Sequence, residues 1–265
     1  MRIWSHNAYW FQGAPSLWGQ ERQTPHSDAV AALTTLYASL QPDVLCLQEV
    51  PSAEVATELG RQLDMHSCFA PGGERVAYGG ALLWQRDVAD QLGAGQNSTG
   101  QMEDFTSLNV TQDRCFERVC MKLTLETALG TLAIINVHLS SNRFAPGGNG
   151  ELLRLPELDR LFSAAGLPHV IAGDFNATYD SKVCEQMQLQ GYCDPHQSTG
   201  RVIDYVWTRE PDLNRTEPLT FDGAFHVPGH SQVALSDHRP VGVGIQLRRA
   251  DAKIIADKQM KESGR

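Results

Sequence analysis

Positive charge is scarce in this sequence. Its 22 Lys and Arg face 31 Asp and Glu, a formal net charge of −9. That argues against a broad basic face gripping duplex nucleic acid through its phosphates. It does not exclude a nuclease, because a bound divalent cation supplies positive charge where the chain has little. Long apolar runs are also missing, and none approaches the ~20 residues that span a bilayer. Met1-Arg2-Ile3-Trp4-Ser5-His6-Asn7 lacks the apolar core of a signal peptide and enters directly into a strand-like pattern. A cytoplasmic location is therefore expected. The cysteines, at 46, 68, 115, 120, 184 and 193, are then expected as free or buried thiols. Cys115 and Cys120 lack the nearby partners that a zinc site needs. Repeats, linkers and low-complexity segments are absent. One domain over residues 1–250 with a charged tail over 251–265 is the simplest organisation, and a monomer is expected.

What is present is an ordinary globular composition, 42% hydrophobic and 20% charged. Residues 2–9 read as a strand. Tyr9, Trp10, Phe11 and Trp18 crowd the loop that follows, either as core or as a pocket wall. Thr24-Pro25 predicts a helix start, and Val30, Leu33, Leu36, Tyr37 and Leu40 form its apolar stripe up to Gln41-Pro42. Val44–Leu47 is a buried strand, and Pro51-Ser52 opens a second helix. This β-α-β-α opening fits a layered α/β chain. Strands are predicted over 66–70 and 80–85, then a polar loop over 86–114. A hairpin over 116–125 and 131–139 turns at Ala128-Leu129-Gly130. A helix follows over 151–164, then the strand His169–Asp174 and a short helix over 181–190. Val202–Trp207 reads as a strand, 208–219 as loop, 219–227 as a further strand and 241–247 as the last.

Strand after strand ends on a polar residue that packing does not require: Asn7, Glu49, His138, Asp174 with Asn176, Asp204, and Asp237 with His238. Singly, most have ordinary explanations. Asn7 suits a turn, Glu49 or Asp237 a cap or loop, and His138 a core. Asp204 inside an apolar strand is harder to explain, since a buried carboxylate needs a partner. Jointly, four carboxylates, two amides and two imidazoles suit an oxygen-liganded divalent metal beside a general base. Gly173 permits a sharp turn or close approach. Asp174 and Asn176, two residues apart, point the same way if the chain is extended there.

Leu47-Gln48-Glu49, Asn136-Val137-His138-Leu139, Gly173-Asp174-Phe175-Asn176, Ile203-Asp204-Tyr205 and Ser236-Asp237-His238-Arg239-Pro240-Val241 follow one another in the order of a known set of signatures. With them the chain resembles the endonuclease/exonuclease/phosphatase superfamily, of the deoxyribonuclease I and exonuclease III kind, from residue 3 to about residue 245. The resemblance implies a four-layer α/β/β/α sandwich with two facing mixed β-sheets. It implies that Glu49 is the principal ligand of Mg²⁺ (or Mn²⁺), with Asn7 close by and Asp237 helping. Asp174 would orient or deprotonate the attacking water, and would share any second metal with Asn176. Asn176 and His138 would donate to the phosphate. His238, bonded to Asp204, would act as base or phosphate ligand. Arg118 is a weaker phosphate candidate, and Arg143, His226 and His230 are substrate-side candidates.

The function these readings imply is Mg²⁺-dependent hydrolysis of a phosphodiester, in nucleic acid or a smaller molecule. A phosphomonoesterase and an inactive phosphate-ligand binder are the alternatives. No branch of the superfamily matches cleanly: Trp207 stands late in the chain, but the basic DNA face of an abasic endonuclease is missing.

Overall fold

The computed structural model describes residues 1–86, 100–127, 130–198, 202–209 and 213–247. The predicted tail over 251–265 and most of the predicted 86–114 loop's first half lie outside them. The chain begins with β1 (Arg2–Asn7), α1 (Ser27–Leu40), β2 (Val44–Val50), α2 (Ala53–Leu63), β3 (Met65–Ala70) and β4 (Gly79–Gln85). It continues with β5 (Gln101–Asp104), β6 (Cys120–Thr127), β7 (Gly130–His138), α3 (Glu151–Ala165), β8 (Val170–Asp174), α4 (Lys182–Leu189), β9 (Tyr192–Cys193) and β10 (Asp204–Arg209). It ends with β11 (Leu213–Leu219), β12 (His226–Val227), β13 (His230–Ala234) and β14 (Val241–Leu247).

One six-stranded sheet has the order β11-β14-β1-β2-β4-β3, the other β5-β6-β7-β8-β10-β9. Both are mixed, with β1–β2 and β7–β8 parallel and the remaining pairs antiparallel. Strand periodicity sorts the core into three apolar layers. Ile3, Val44, Cys46, Leu82 and Val243 of the first sheet meet Leu123, Leu132, Ile134, Val170, Ala172 and Val206 of the second. The opposite parity of the first sheet, including Trp4, Leu45 and Leu47, packs against Leu33, Leu36 and Tyr37 of α1 and Ala56 and Leu59 of α2. Ile135, Val137, Ile171, Tyr205 and Trp207 pack against Leu158 and Leu161 of α3 and Val183 and Met187 of α4. The result is an α/β/β/α sandwich. No helix among the described residues is long and apolar enough to cross a membrane.

Continuing the inter-sheet row of each strand explains where polar residues converge. The row Val170-Ala172 ends on Asp174, and Leu132-Ile134 ends on Asn136 and His138. Asn136 and Gln48 cross the apolar layer together. Gln48 Nε2 donates to Asn136 Oδ1 at 2.7 Å, and Asn136 Nδ2 donates to the carbonyls of Leu47 and Ala81 at 2.9 and 3.0 Å. Both amides are fully buried.

Several boundaries differ from the sequence expectation. Helix α1 starts after His26, whose Nδ1 accepts from Asp28 N, while the Thr24 hydroxyl turns to the carbonyl of Arg22. The predicted loops over 86–114 and 208–219 contain the edge strands β5 and β11. Both are short or largely polar edges, where only one side needs a partner and apolar alternation is weak. The strand predicted over 219–227 shrinks to β12, which pairs with the unpredicted β13 in a separate hairpin. Phe116–Val119 lies ahead of β6 rather than within it.

Gly173 has φ +151°, and a Cβ there would lie 1.8 Å from the carbonyl oxygen of Val137 on the paired strand β7. Gly173→Ala is expected to destabilise the fold by about 1–3 kcal/mol through this clash with backbone. A denaturant midpoint equal to that of the parent protein would refute this placement.

Candidate active site

The site lies at the end of the sandwich where β1, β2, β7 and β8 finish and β10 begins. Register sets its centre: Asp174 closes β8 opposite Asp204, the first residue of β10, and beside His138, the last of β7. Asn7 closes β1, and its Nδ2 donates to Asp174 Oδ2 across the sheets at 3.1 Å. His138 Nε2 lies 3.2 Å and His238 Nε2 3.8 Å from that same oxygen. Asp174 Oδ1 accepts the backbone N–H of Asn176 at 2.9 Å. Burial alone would push the Asp174 carboxyl up. The neighbouring His138, His238 and Arg118 outweigh it and hold the group below the usual carboxylate range.

Strand alternation would send Glu49 toward α1 and α2 with Leu45 and Leu47. A bulge between Gln48 and Val50, with Glu49 at φ +53°, re-aims it. The left-handed conformation is uncommon for a residue other than glycine and often marks function. The carboxyl is buried, which raises its pKa to about 8. Asp174 and Asp237 add to the rise, while Arg118 and a hydrogen bond from Asn7 oppose it.

His238 is held from several sides. Its Nδ1 lies 2.7 Å from Asp204 Oδ2. Its backbone N–H donates to Ser236 Oγ, whose hydroxyl donates to the carbonyl of Asn7. Its carbonyl accepts from His6 Nε2 at 3.0 Å, leaving His6 Nδ1 to accept from the Tyr37 hydroxyl at 2.8 Å. Burial holds His6 neutral, with a pKa lowered to about 3. Burial also works against protonation of His238, but Asp204, Asp174 and Asp237 prevail and raise it to about 10. Asp237 itself is half exposed, 3.9 Å from His238 Nε2.

Arg118 and His138 form a buried pair. The guanidinium meets His138 Nε2, donates to the carbonyl of Leu139 and stacks over Tyr78 at 4.5 Å from the ring centroid. Burial and Arg118 lower the His138 pKa to about 4 against the pull of Asp174.

The donor set fits a hard divalent cation. Glu49 Oε2 and Asp204 Oδ1 are buried oxygens with no hydrogen-bond partner. Asp174, Asp204 and His238 offer ligand atoms within 4.8 Å of one another, a trio that could hold such an ion when His238 gives up its proton. Oxygen-rich sets of this kind favour Mg²⁺ or Mn²⁺ over softer metals.

Other candidates are placed differently from the expectation. Asn176 is not on an extended segment with Asp174. It sits at φ +49° in the turn after β8, and its Nδ2 donates to the carbonyl of Leu139. His226 and His230 lie on the β12–β13 hairpin, where His230 faces Asp28 of α1 at 3.2 Å. Of the loop aromatics, Phe11 belongs to the core and Trp18 packs on His26. Trp10 is buried against Tyr78, and Tyr9 is partly open beside Asn7, whose side chain accepts its N–H. His6, Gln48, Tyr78 and Phe144 were not predicted. His6 and Gln48 carried a readable signal, being polar residues inside apolar strands. Tyr78 and Phe144 come from loops with no such pattern.

Known proteins share this architecture. The structure of the human Nocturnin catalytic domain with bound sulfate is 18% identical over 93% of each chain, with a TM-score of 0.63. A mannosyl-6-phosphatase of Bacteroides thetaiotaomicron is 15% identical over 92% of this chain and 99% of its own, also at 0.63. A D. rerio TDP2 humanized by 14 mutations is 17% identical over 92% and 97%, at 0.59. At such identities the likeness is one of fold. No curated protein matches the sequence. The model of the Endonuclease/Exonuclease/phosphatase family matches residues 5–238, a span that takes in every residue gathered around Asp174. The chain is a metal-dependent phosphoesterase and belongs to the endonuclease/exonuclease/phosphatase family.

Proposed function

We propose that the protein hydrolyses a phosphodiester, using Mg²⁺ or Mn²⁺ held by Glu49 with Asn7 and Asp237 beside it. One observation carries this reading. Three side-chain nitrogens, from Asn7, His138 and His238, surround a single oxygen of the ionised Asp174, next to the buried Glu49 with its unpartnered oxygen. When bound, the cation polarises the phosphate and offsets the charge that builds on it.

The chain's own residues supply the remaining steps. A carboxylate held as firmly ionised as Asp174 is a weak base, so its role is to orient the attacking water. His238 is an imidazolium at neutral pH, fixed through Nδ1–H to Asp204, and its Nε2–H donates to a phosphate oxygen. One amide hydrogen of Asn176 goes to Leu139, which leaves the other for the phosphate. His138 is wholly enclosed, with Nε2 packed between Asp174 and Arg118, so it helps hold these two in place rather than reaching the substrate. A polar cavity of about 790 Å³ adjoins Asn176 and is lined by Arg143, Asn149, Thr178 and Ser181. It has room for the alcohol side of a small diester or a nucleic-acid strand.

Mg²⁺-dependent turnover of bis-(p-nitrophenyl) phosphate tests this directly. Asp174→Asn is expected to lower kcat by about 10²–10⁴-fold, and EDTA to abolish activity. Full activity in either case sinks the mechanism. Turnover of p-nitrophenyl phosphate alone would move the assignment to a monoesterase.

The raised pKa of Glu49 gives a pH test. Below about pH 8 its carboxyl holds a proton that the cation must displace. Mg²⁺ affinity should therefore rise with pH, by up to about tenfold per unit, and level off above that pKa. Calorimetric titration at several pH values measures this, and a flat profile would remove Glu49 from the ligand set.

A further inference from the structure

Phe144 carries three guanidiniums. The Cζ atoms of Arg75, Arg143 and Arg118 lie 3.4, 5.4 and 5.9 Å from its ring centroid. In a chain of net charge −9, collecting three cations on one side chain works against their mutual repulsion. Carboxylates relieve it only partly. Arg75 pairs with Glu117 at 3.1 Å, while neither Arg118 nor Arg143 forms an ion pair among the described residues. Arg118 is buried and already belongs to the catalytic centre through His138 and Tyr78. The other two are open to solvent, Arg75 with 38% of its side chain exposed and Arg143 more so. Arg143 also lines the cavity that adjoins Asn176, which places it on the catalytic side of the loop.

Stacking of Arg75 at 3.4 Å closes that face of Phe144 to a nucleobase. The ring instead limits the rotamers of the guanidiniums, so their donors are arranged before a ligand arrives. Two forked cations with free donors suit a tetrahedral oxyanion. We propose that Arg75 and Arg143, mounted on Phe144, form a second phosphate subsite at the mouth of the catalytic centre, so that the preferred substrate carries a phosphate group besides the ester that is cut. The inference rests on the phosphoesterase reading of the neighbouring centre.

Binding separates the two claims. Calorimetry with thymidine 3′,5′-bisphosphate and thymidine 5′-monophosphate, each against the full chain with Mg²⁺, reads the value of the second phosphate as a ratio of Kd. About tenfold or more in favour of the bisphosphate is expected from a charge-assisted contact. Arg75→Gln/Arg143→Gln should bring the ratio close to one. Arg143→Gln alone, at an exposed position with no folding role, should lower it in part. Equal affinities in the parent protein, or a ratio that survives the double variant, would overturn the subsite. A preserved ratio in a protein that hydrolyses neither diester nor monoester would instead count against the catalytic reading and leave the subsite standing.

Discussion

Placing one ionised carboxylate in the crease between two apolar sheets constrains the rest of the structure. An unpaired charge there would cost several kcal/mol. Asp174 is therefore surrounded, and the surroundings come from distant parts of the chain. Asn7 arrives from the first sheet, His138 from the parallel neighbour of β8, and His238 from the segment before β14. Each is the polar terminus of a strand or the start of a connection, so the hydrogen-bond registers of both sheets determine whether Asp174 is satisfied. Fold and site are one problem at this point.

The same cluster separates the ionisation of its acids. Asp174 is driven low by cationic and imidazole neighbours, whereas Glu49 is driven up by burial with fewer of them. Carboxylates a short distance apart thus take different roles, one permanently charged and one that ionises readily only with a cation beside it. His238 sits among Asp204, Asp174 and Asp237 and takes the proton they disfavour losing. A triad of Asp204, His238 and Asp174 resembles a nucleophile-activating relay in outline, but two carboxylates around one imidazolium leave it net negative, a charge that suits a bound cation.

Much of this was legible in the sequence because alternation is a strong signal in buried strands. Val170-Ile171-Ala172-Gly173-Asp174 can hardly be anything but a core strand that ends on an acid, and Asp204 inside Ile203–Trp207 demands a partner. The edge strands β5 and β11 were not legible, since a strand paired on one side tolerates polar residues on both faces. Glu49 was found from its motif, yet its direction depended on a bulge that no periodicity announces. Asn176 was misplaced for a related reason: its two-residue spacing from Asp174 has meaning only if the strand continues, and the chain turns there. Tyr78 and Phe144 reach the site from loops, where sequence spacing says nothing about proximity.

The pair of amides, Gln48 and Asn136, lies directly behind the cluster and ties strand β2 of one sheet to β7 of the other through side chain and backbone carbonyls. Apolar layers resist separation but tolerate sliding, because dispersion contacts are non-directional. Directional bonds do not. The two half-sites are thereby pinned to a common origin inside the sandwich, independent of the loops that surround the opening. Loops that carry no residue of the cluster are free to lengthen, shorten or change charge without disturbing the chemistry beneath them, and a fold built this way can exchange its customers while keeping its tools.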